Sequence, residues 1–175
     1  MAFNFVKTVG GVGRKLELVK LGNTQTVEVG DAIETYTTGL GVLQTAAHHV
    51  GGIIHALVDA NGYPIATSNP VAGTASGVDV RSVATGSTGT SYALVDFSED
   101  TIYSVTVNGT LGNTASSTLR GCHIDIDSDP GKVLESTATR TEGVEANFYS
   151  WGVDPKDSTR LLVSIAMSEL RSVTT

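Results

Sequence analysis

Three histidines, His48, His49 and His55, form the cluster in this sequence with the clearest potential for metal chemistry. Zinc sites need three or four ligands in tetrahedral geometry. Successive side chains on a strand point to opposite faces, so His49 and His55 share a face that His48 does not. The single cysteine, Cys122, has no second thiol to complete a ligand set. We therefore predict no bound metal and interpret the histidines as lining a turn or a subunit contact, where they would confer pH sensitivity.

Asp125, Asp127 and Asp129 alternate in the run HIDIDSD and could supply oxygen ligands to calcium. A calcium-binding EF-hand loop takes ligands from positions 1, 3 and 5, but it also needs glycine at position 6 and glutamate at position 12. Those two positions hold Pro130 and Ser136. The same alternation is typical of a strand with one solvent-facing side, and this is the interpretation we favour.

Fragments of catalytic and phosphate-binding motifs occur, but none is complete. Gly10–Lys15 lacks both the Gly-Lys-Ser/Thr of a P-loop and the third glycine of a dinucleotide-binding loop. Asp96, Glu99 and Asp100 could act as paired carboxylates of a glycosidase, although nothing in the pattern singles them out. No Gly-x-Ser-x-Gly nucleophile motif is present. We therefore predict no catalytic residue, no cofactor and no enzymatic activity, with a hydrolase kept as an alternative.

Charge and composition exclude several classes of partner. The formal net charge is −7, and the 11 basic residues are scattered along the chain. Nucleic-acid binding needs a basic patch, and a membrane-spanning helix needs about 20 apolar residues in a row; neither occurs. One cysteine permits no internal disulfide, and the N-terminal residues lack a signal-peptide pattern. The sequence thus predicts no nucleic-acid or membrane partner and synthesis in a cytoplasm.

The elements that would position these residues are predicted to be strands. The Leu40–Val50 region has a helical period, but glycines crowd both of its ends. Turns are predicted at Gly22–Asn23, Asn61–Gly62 and Asn108–Gly109, where asparagine and glycine tolerate positive φ. We expect an all-β fold, a β-sandwich or a β-barrel-like structure with little helix. The predicted strands are Lys15–Leu21, Gln25–Val29, Ile53–Val58, Tyr92–Phe97, Thr101–Val107 and Arg160–Ser168.

The weakest structural signal lies in Ser68–Ser91, which is rich in glycine, serine and threonine. Long segments of this kind are uncommon inside compact domains. We therefore predict an N-terminal β lobe at 1–67, with an arm at 1–14, and a C-terminal β lobe at 68–175. A single compact domain is the alternative.

Runs of glycine, valine and aromatic residues recur through most of the chain after residue 27. They are VEVGDA (27–32), GVLQTAA (41–47), VGGII (50–54), VDANGYP (58–64), IYSVTVNGT (102–110), WGV (151–153) and LLVSI (161–165). This layout resembles that of tailed-bacteriophage head decoration proteins, also called cement proteins. The resemblance implies a structural virion protein that binds the outside of the capsid and stabilises the head by bridging subunits of the major capsid protein. It also implies a homotrimer on the virion exterior.

The residues we predict to contact the shell or a neighbouring subunit lie in and directly after the N-terminal arm, because the two aromatic side chains of the arm have little core nearby. Those residues are Phe3, Phe5, Val6, Arg14 and Lys15. The alternative is an N-terminal edge strand that packs within the same chain. The alternative function is a tail- or fibre-associated module that binds glycans, for which Phe148, Tyr149 and Trp151 are the closest group of aromatic residues.

Overall fold

The computed structural model describes residues 3–9, 13–22, 26–35, 40–43, 50–63, 82–84, 92–108, 111, 119–127, 132–139 and 147–166. Within these ranges the chain forms thirteen strands and no helix, which confirms the predicted all-β fold. The first six strands are β1 (Asn4–Thr8), β2 (Leu16–Leu21), β3 (Thr26–Glu28), β4 (Ala32–Thr35), β5 (Leu40–Leu43) and β6 (Gly52–Val58). The others are β7 (Ser82–Ala84), β8 (Tyr92–Asp96), β9 (Thr101–Asn108), β10 (His123–Ile126), β11 (Lys132–Thr139), β12 (Phe148–Asp154) and β13 (Asp157–Ile165).

Five strands close into a barrel in the order β2-β5-β4-β6-β8, in agreement with the predicted barrel-like architecture. β2 pairs parallel with β5 and antiparallel with β8, and β8 pairs antiparallel with β6. Alternate side chains of these strands point inward and fill the barrel. The buried residues of this core are Val19, Leu21, Val27, Ile33, Ile54, Leu57, Ala93 and Val95.

A second sheet has the order β1-β9-β11-β10-β12-β13, and β9 pairs in addition with β13, so the sheet curls back on itself. Its largest buried side chains include Tyr103, Phe148 and Leu161. Ala32 on β4 and Ile53 on β6 belong to this second core, whereas their neighbours Ile33 and Ile54 belong to the barrel core. The period-2 alternation of β4 and β6 therefore packs one end of the barrel's outer face against the second sheet.

Local predictions differ from the structure in two places. The strands on either side of Gly22–Asn23 do not pair with each other, since β2 joins the barrel and β3 pairs with β7. Leu40–Leu43 is a strand rather than the start of a helix, because it pairs with both β2 and β4 and so completes the barrel. The hairpin predicted at Asn108–Gly109 and the end of the strand predicted at Arg160–Ser168 extend outside the described residues.

The predicted boundary near residue 68 falls between barrel strands. β8, which follows the boundary, pairs with β2 and β6, which precede it. β1, from the predicted arm, pairs with β9. The division into two lobes stays a prediction, and most of Ser68–Ser91 lies outside the described residues.

Gly52, at the start of β6, lies too close to β8 to accept a side chain. An added Cβ would be 2.6 Å from Val95 Cγ1 and 2.8 Å from the backbone oxygen of Asp96. We expect Gly52→Ala to lower the free energy of unfolding by about 1–3 kcal/mol, because the barrel must shift to relieve this overlap. Urea denaturation measures the loss. Gly13→Ala is the control, because no atom lies within 4 Å of its added Cβ, and an equal loss there would contradict the explanation.

Candidate functional site

Arg14 lies just before β2, where its guanidinium group joins three strands. Its Nε donates a hydrogen bond to Asp96 Oδ2 on β8 at 2.7 Å. Its Nη1 lies 2.9 Å from His55 Nδ1 on β6, and its Cζ lies 4.2 Å from the centre of the Phe5 ring on β1. We call Phe5, Arg14, His55 and Asp96 the arginine cluster. It links the N-terminal strand to the barrel.

Asp96 is the buried member of the cluster and is well supplied with donors. Its Oδ2 also accepts from Thr101 Oγ1 at 3.1 Å, and its Oδ1 accepts from the backbone N–H of Ser98 at 2.9 Å. Burial acts to raise the pKa of Asp96, but hydrogen bonds from Ser98 and Arg14 outweigh it and lower that pKa. The residue therefore carries a stable negative charge at the junction between the barrel and the second sheet.

Tyr103 lies beside this charge on β9. Its hydroxyl group is buried and makes no hydrogen bond within the described structure. Burial, followed by the negative charge of Asp96, raises the pKa of the Tyr103 phenol. Tyr103 is therefore neutral and keeps its phenol O–H beside the Asp96 carboxylate.

Next to the cluster, the outer face of the barrel carries exposed apolar side chains. Leu16 and Leu18 of β2 are 38% and 45% exposed. Leu18 lies opposite Leu94 on β8, and Leu94 lies opposite Ala56 on β6, so these side chains share one face. We call Leu16, Leu18, Leu94 and Ala56 the barrel strip. Leu94 and Ala56 are partly buried, so Leu16 and Leu18 supply most of the exposed apolar surface of the strip. Apolar surface of this kind favours contact with another protein.

The predicted contact residues separate into two groups. Phe3 is only 4% exposed, because its ring stacks on Phe148 in the second core. Phe5 and Val6 are exposed on β1, and Arg14 belongs to the arginine cluster. Lys15 is exposed and pairs with Glu17 at 3.0 Å.

β1 pairs with β9 of the same chain. This pairing is what the alternative interpretation of the arm, as an N-terminal edge strand, predicts. Whether the five arm residues contact a shell or a neighbouring subunit stays a prediction. Phe3 already fills its own chain's core, so the surface available for such contact is carried by the other four.

Sequence reasoning considered His55 and Asp96 but did not bring them together. Asp96 ends the run YALVD, and a carboxylate in an otherwise apolar strand is a signal for a buried partner. The barrel strip could not be recognised from the pattern KLELVKL, because leucines occupy both faces of that strand. Burial of Val19 and Leu21 then determines that Leu16 and Leu18 point outward.

Aromatic residues also lie on β12, where Trp151 is exposed and Tyr149 is partly buried. Tyr149 packs edge-on against Trp151, with 5.3 Å between ring centres, and against His123, at 5.8 Å. Trp151 is 38% exposed and its Nε1 donates to Ser164 Oγ at 3.1 Å. Phe148, the third aromatic residue of the run, is buried in the second core and takes no part in this surface.

Only the first part of the aspartate run is a strand: Asp125 lies half-buried on β10, which ends at Ile126. Asp127 follows the strand and is buried, so the predicted solvent-facing side is wrong at that residue. Ile124 and Ile126 of β10 are buried, and Asp127 Oδ2 accepts a hydrogen bond from Asn108 Nδ2 at 2.6 Å. In the part of the chain that the structure describes, no group of three His, Cys, Asp or Glu side chains has metal-binding geometry. His48, His49 and Asp129 lie outside that part.

Comparison of the chain with protein-family models, with curated proteins and with solved structures found no match. A search for membrane spans, made over the described residues, found no helix with the length and apolar character to cross a bilayer. The candidate site therefore has to be interpreted from its own geometry.

Proposed function

We propose that this chain is a structural protein that binds the outside of a bacteriophage capsid and stabilises the head by bridging major capsid protein subunits. The observation that carries the proposal is the barrel strip together with the exposed residues of β1, Phe5 and Val6. Two solvent-exposed leucines and a half-exposed phenylalanine supply apolar contact area of the kind that dominates protein interfaces. The proposal also takes support from the resemblance to phage decoration proteins.

The arginine cluster gives this surface a defined shape. Arg14 is fixed by Asp96 and His55, and in turn holds the Phe5 ring, so the face is organised before any partner binds. A pre-organised face loses little conformational entropy on binding. Such a surface suits a protein that occupies many equivalent positions on a shell.

Leu18→Glu tests the proposal. We expect the variant to bind expanded, undecorated heads of the cognate phage about tenfold more weakly, because it places a charge in the centre of the apolar face. Co-sedimentation with heads over a range of protein concentrations measures the affinity. Ser158→Glu, which adds the same charge at an exposed position of β13, is the matched control. Equal binding by both variants would remove the barrel strip from the proposal, and failure of the unmodified chain to sediment with heads would end it.

We further propose that the chain acts as a homotrimer on the virion exterior after synthesis in the host cytoplasm. Trimerisation would make weak contacts multivalent and raise the effective affinity by about 10²–10⁴. Light scattering of the purified protein, alone and after release from heads, measures the mass. A monomer in both conditions would contradict this part of the proposal.

A glycan-binding tail or fibre module is the second candidate, and the Tyr149–Trp151 pair favours it. Sugar rings stack on exposed aromatic side chains, and Trp151 is the one tryptophan in the sequence, so its fluorescence reports on this site alone. A glycan array followed by fluorescence titration of any hit tests the candidate. An array without hits, or a hit that leaves the emission of Trp151 unchanged, would count against it.

A further inference from the structure

We propose that His55 is an acid-sensitive latch, whose protonation frees Arg14 from one of its two anchors and loosens the N-terminal strand β1. The inference goes beyond the proposed function, because it depends on contacts within one chain and holds with or without a capsid. It starts from the 2.9 Å contact between Arg14 Nη1 and His55 Nδ1.

The chemistry of the two side chains determines the protonation state that this contact requires. A guanidinium group has five N–H donors and no acceptor. His55 Nδ1 must therefore accept the hydrogen bond, which places the ring proton on Nε2 and leaves the imidazole neutral. An imidazolium has an N–H on both nitrogens. Protonation of His55 would thus set two donors and two positive charges against each other, and the contact would break.

The charged groups around His55 make this a titration of one residue. Burial first, and then the charge of Arg14, lower the pKa of His55, while Asp96 raises it in part. Asp96 stays ionised over the range in which His55 titrates, because its own pKa is lowered. The Asp31 carboxylate, on the other edge of β6, accepts a hydrogen bond from the backbone N–H of Glu28 at 2.7 Å. It is not among the charges that shift the pKa of His55.

The direction of the pH dependence follows from the lowered pKa of His55. The folded-state pKa of His55 lies below its ordinary value of 6.5, so the unfolded chain binds the proton more readily than the folded one. The stabilising contact is complete above pH 6.5 and is lost as the pH falls through the folded-state pKa. Acidification therefore breaks the contact between His55 and Arg14.

Loss of the His55 contact acts on β1 through Phe5. With both anchors in place, the plane of the guanidinium group is fixed 4.2 Å from the Phe5 ring. With Asp96 alone, the group can rotate about its remaining hydrogen bond, and the stacking geometry with Phe5 is lost. β1 stands at one end of its sheet order, and among the described strands it pairs with β9 alone.

Amide hydrogen exchange on the full chain, followed by NMR between pH 7 and pH 5, tests the latch. We expect exchange of the Phe5 and Lys7 amides to rise roughly tenfold in the unmodified protein after correction for the intrinsic rate. In His55→Asn, whose Oδ1 takes the place of Nδ1 but does not titrate in this range, the corrected rates should stay constant. The amides of Val19 and Val95 in the barrel should stay protected in both proteins.

Three results would overturn the proposal. Parallel exchange in the unmodified protein and in His55→Asn would show that another group controls β1. Loss of barrel protection together with that of β1 would mean global unfolding instead of a local latch. A nitrogen spectrum with the His55 proton on Nδ1 at pH 7 would contradict the contact itself.

Arg14→Gln gives a readout that is independent of strand mobility. Removing the positive charge should raise the pKa of His55 toward 6.5, because one of the causes that lower it is gone. An unchanged His55 titration in this variant would mean that Arg14 does not act on the ring, and would overturn the latch.

Discussion

Phe3→Ala is expected to lower the free energy of unfolding by about 3–5 kcal/mol, the range for truncation of a buried phenylalanine. The Phe3 ring lies 4.8 Å from the ring of Phe148 and meets that of Tyr103 edge-on at 6.1 Å. Its removal leaves a cavity in the second core and breaks both aromatic contacts. Urea denaturation followed by circular dichroism measures the change.

Phe5→Ala is the matched control, two residues further along the chain. Phe5 is 46% exposed, and its ring stacks with Arg14, a contact worth about 0.5–1 kcal/mol at such a site. We therefore expect a loss below about 1 kcal/mol. A larger loss for Phe5→Ala than for Phe3→Ala would contradict the placement of the N-terminal strand.

Asp96→Asn is expected to destabilise the chain by about 3 kcal/mol, the lower end of the range for breaking a buried ion pair. The amide keeps the size of the carboxylate but removes the charge that Arg14 Nε and Thr101 Oγ1 face. Arg14 retains 16% exposure of its side chain, so water replaces part of what is lost. Thermal and urea unfolding at pH 7 measure the effect.

The control for this prediction is the pH dependence of the stability difference between the unmodified protein and Asp96→Asn. The folded-state pKa of Asp96 is lowered from 3.8, so the stability it contributes is present above that value and is lost as the pH falls through the folded-state pKa. The gap between the unmodified protein and Asp96→Asn should therefore narrow below pH 4. A gap that stays constant from pH 7 to pH 3 would mean that charge is not its cause.

Strand positions were predictable where the local alternation is clear, whereas β4, β5 and β11 were not predicted. Ile53–Val58 and Tyr92–Phe97 match β6 and β8 to within one residue at each end. In Arg160–Ser168, the predicted apolar face is buried at Leu161, Val163 and Ile165, but Arg160, Ser164 and Ala166 on the opposite face are buried too. Alternation of apolar and polar side chains is a property of neighbouring residues, so the sequence shows it directly, whereas the burial of both faces depends on the rest of the fold.

Strand partners were not predictable in the same way. β2 joins β5 and β8 rather than β3, and no local residue distinguishes these partners. The arginine cluster depends on this pairing, since Arg14, His55 and Asp96 come together only when β2, β6 and β8 share the barrel wall. Long-range pairing is decided by the packing of the whole core, which short motifs do not describe.

The pairing of β1 with β9 has a consequence for synthesis on the ribosome. Phe5 lies opposite Tyr103, so about 100 residues must be translated after β1 before its partner strand exists. At roughly 5–20 residues per second, the nascent chain carries this apolar strand unpaired for about 5–20 seconds. Phe3 lacks its stacking partner for longer still, because Phe148 is translated later. β1 is thus translated well before its partners and docks late, and a chaperone that shields short apolar segments would bind there.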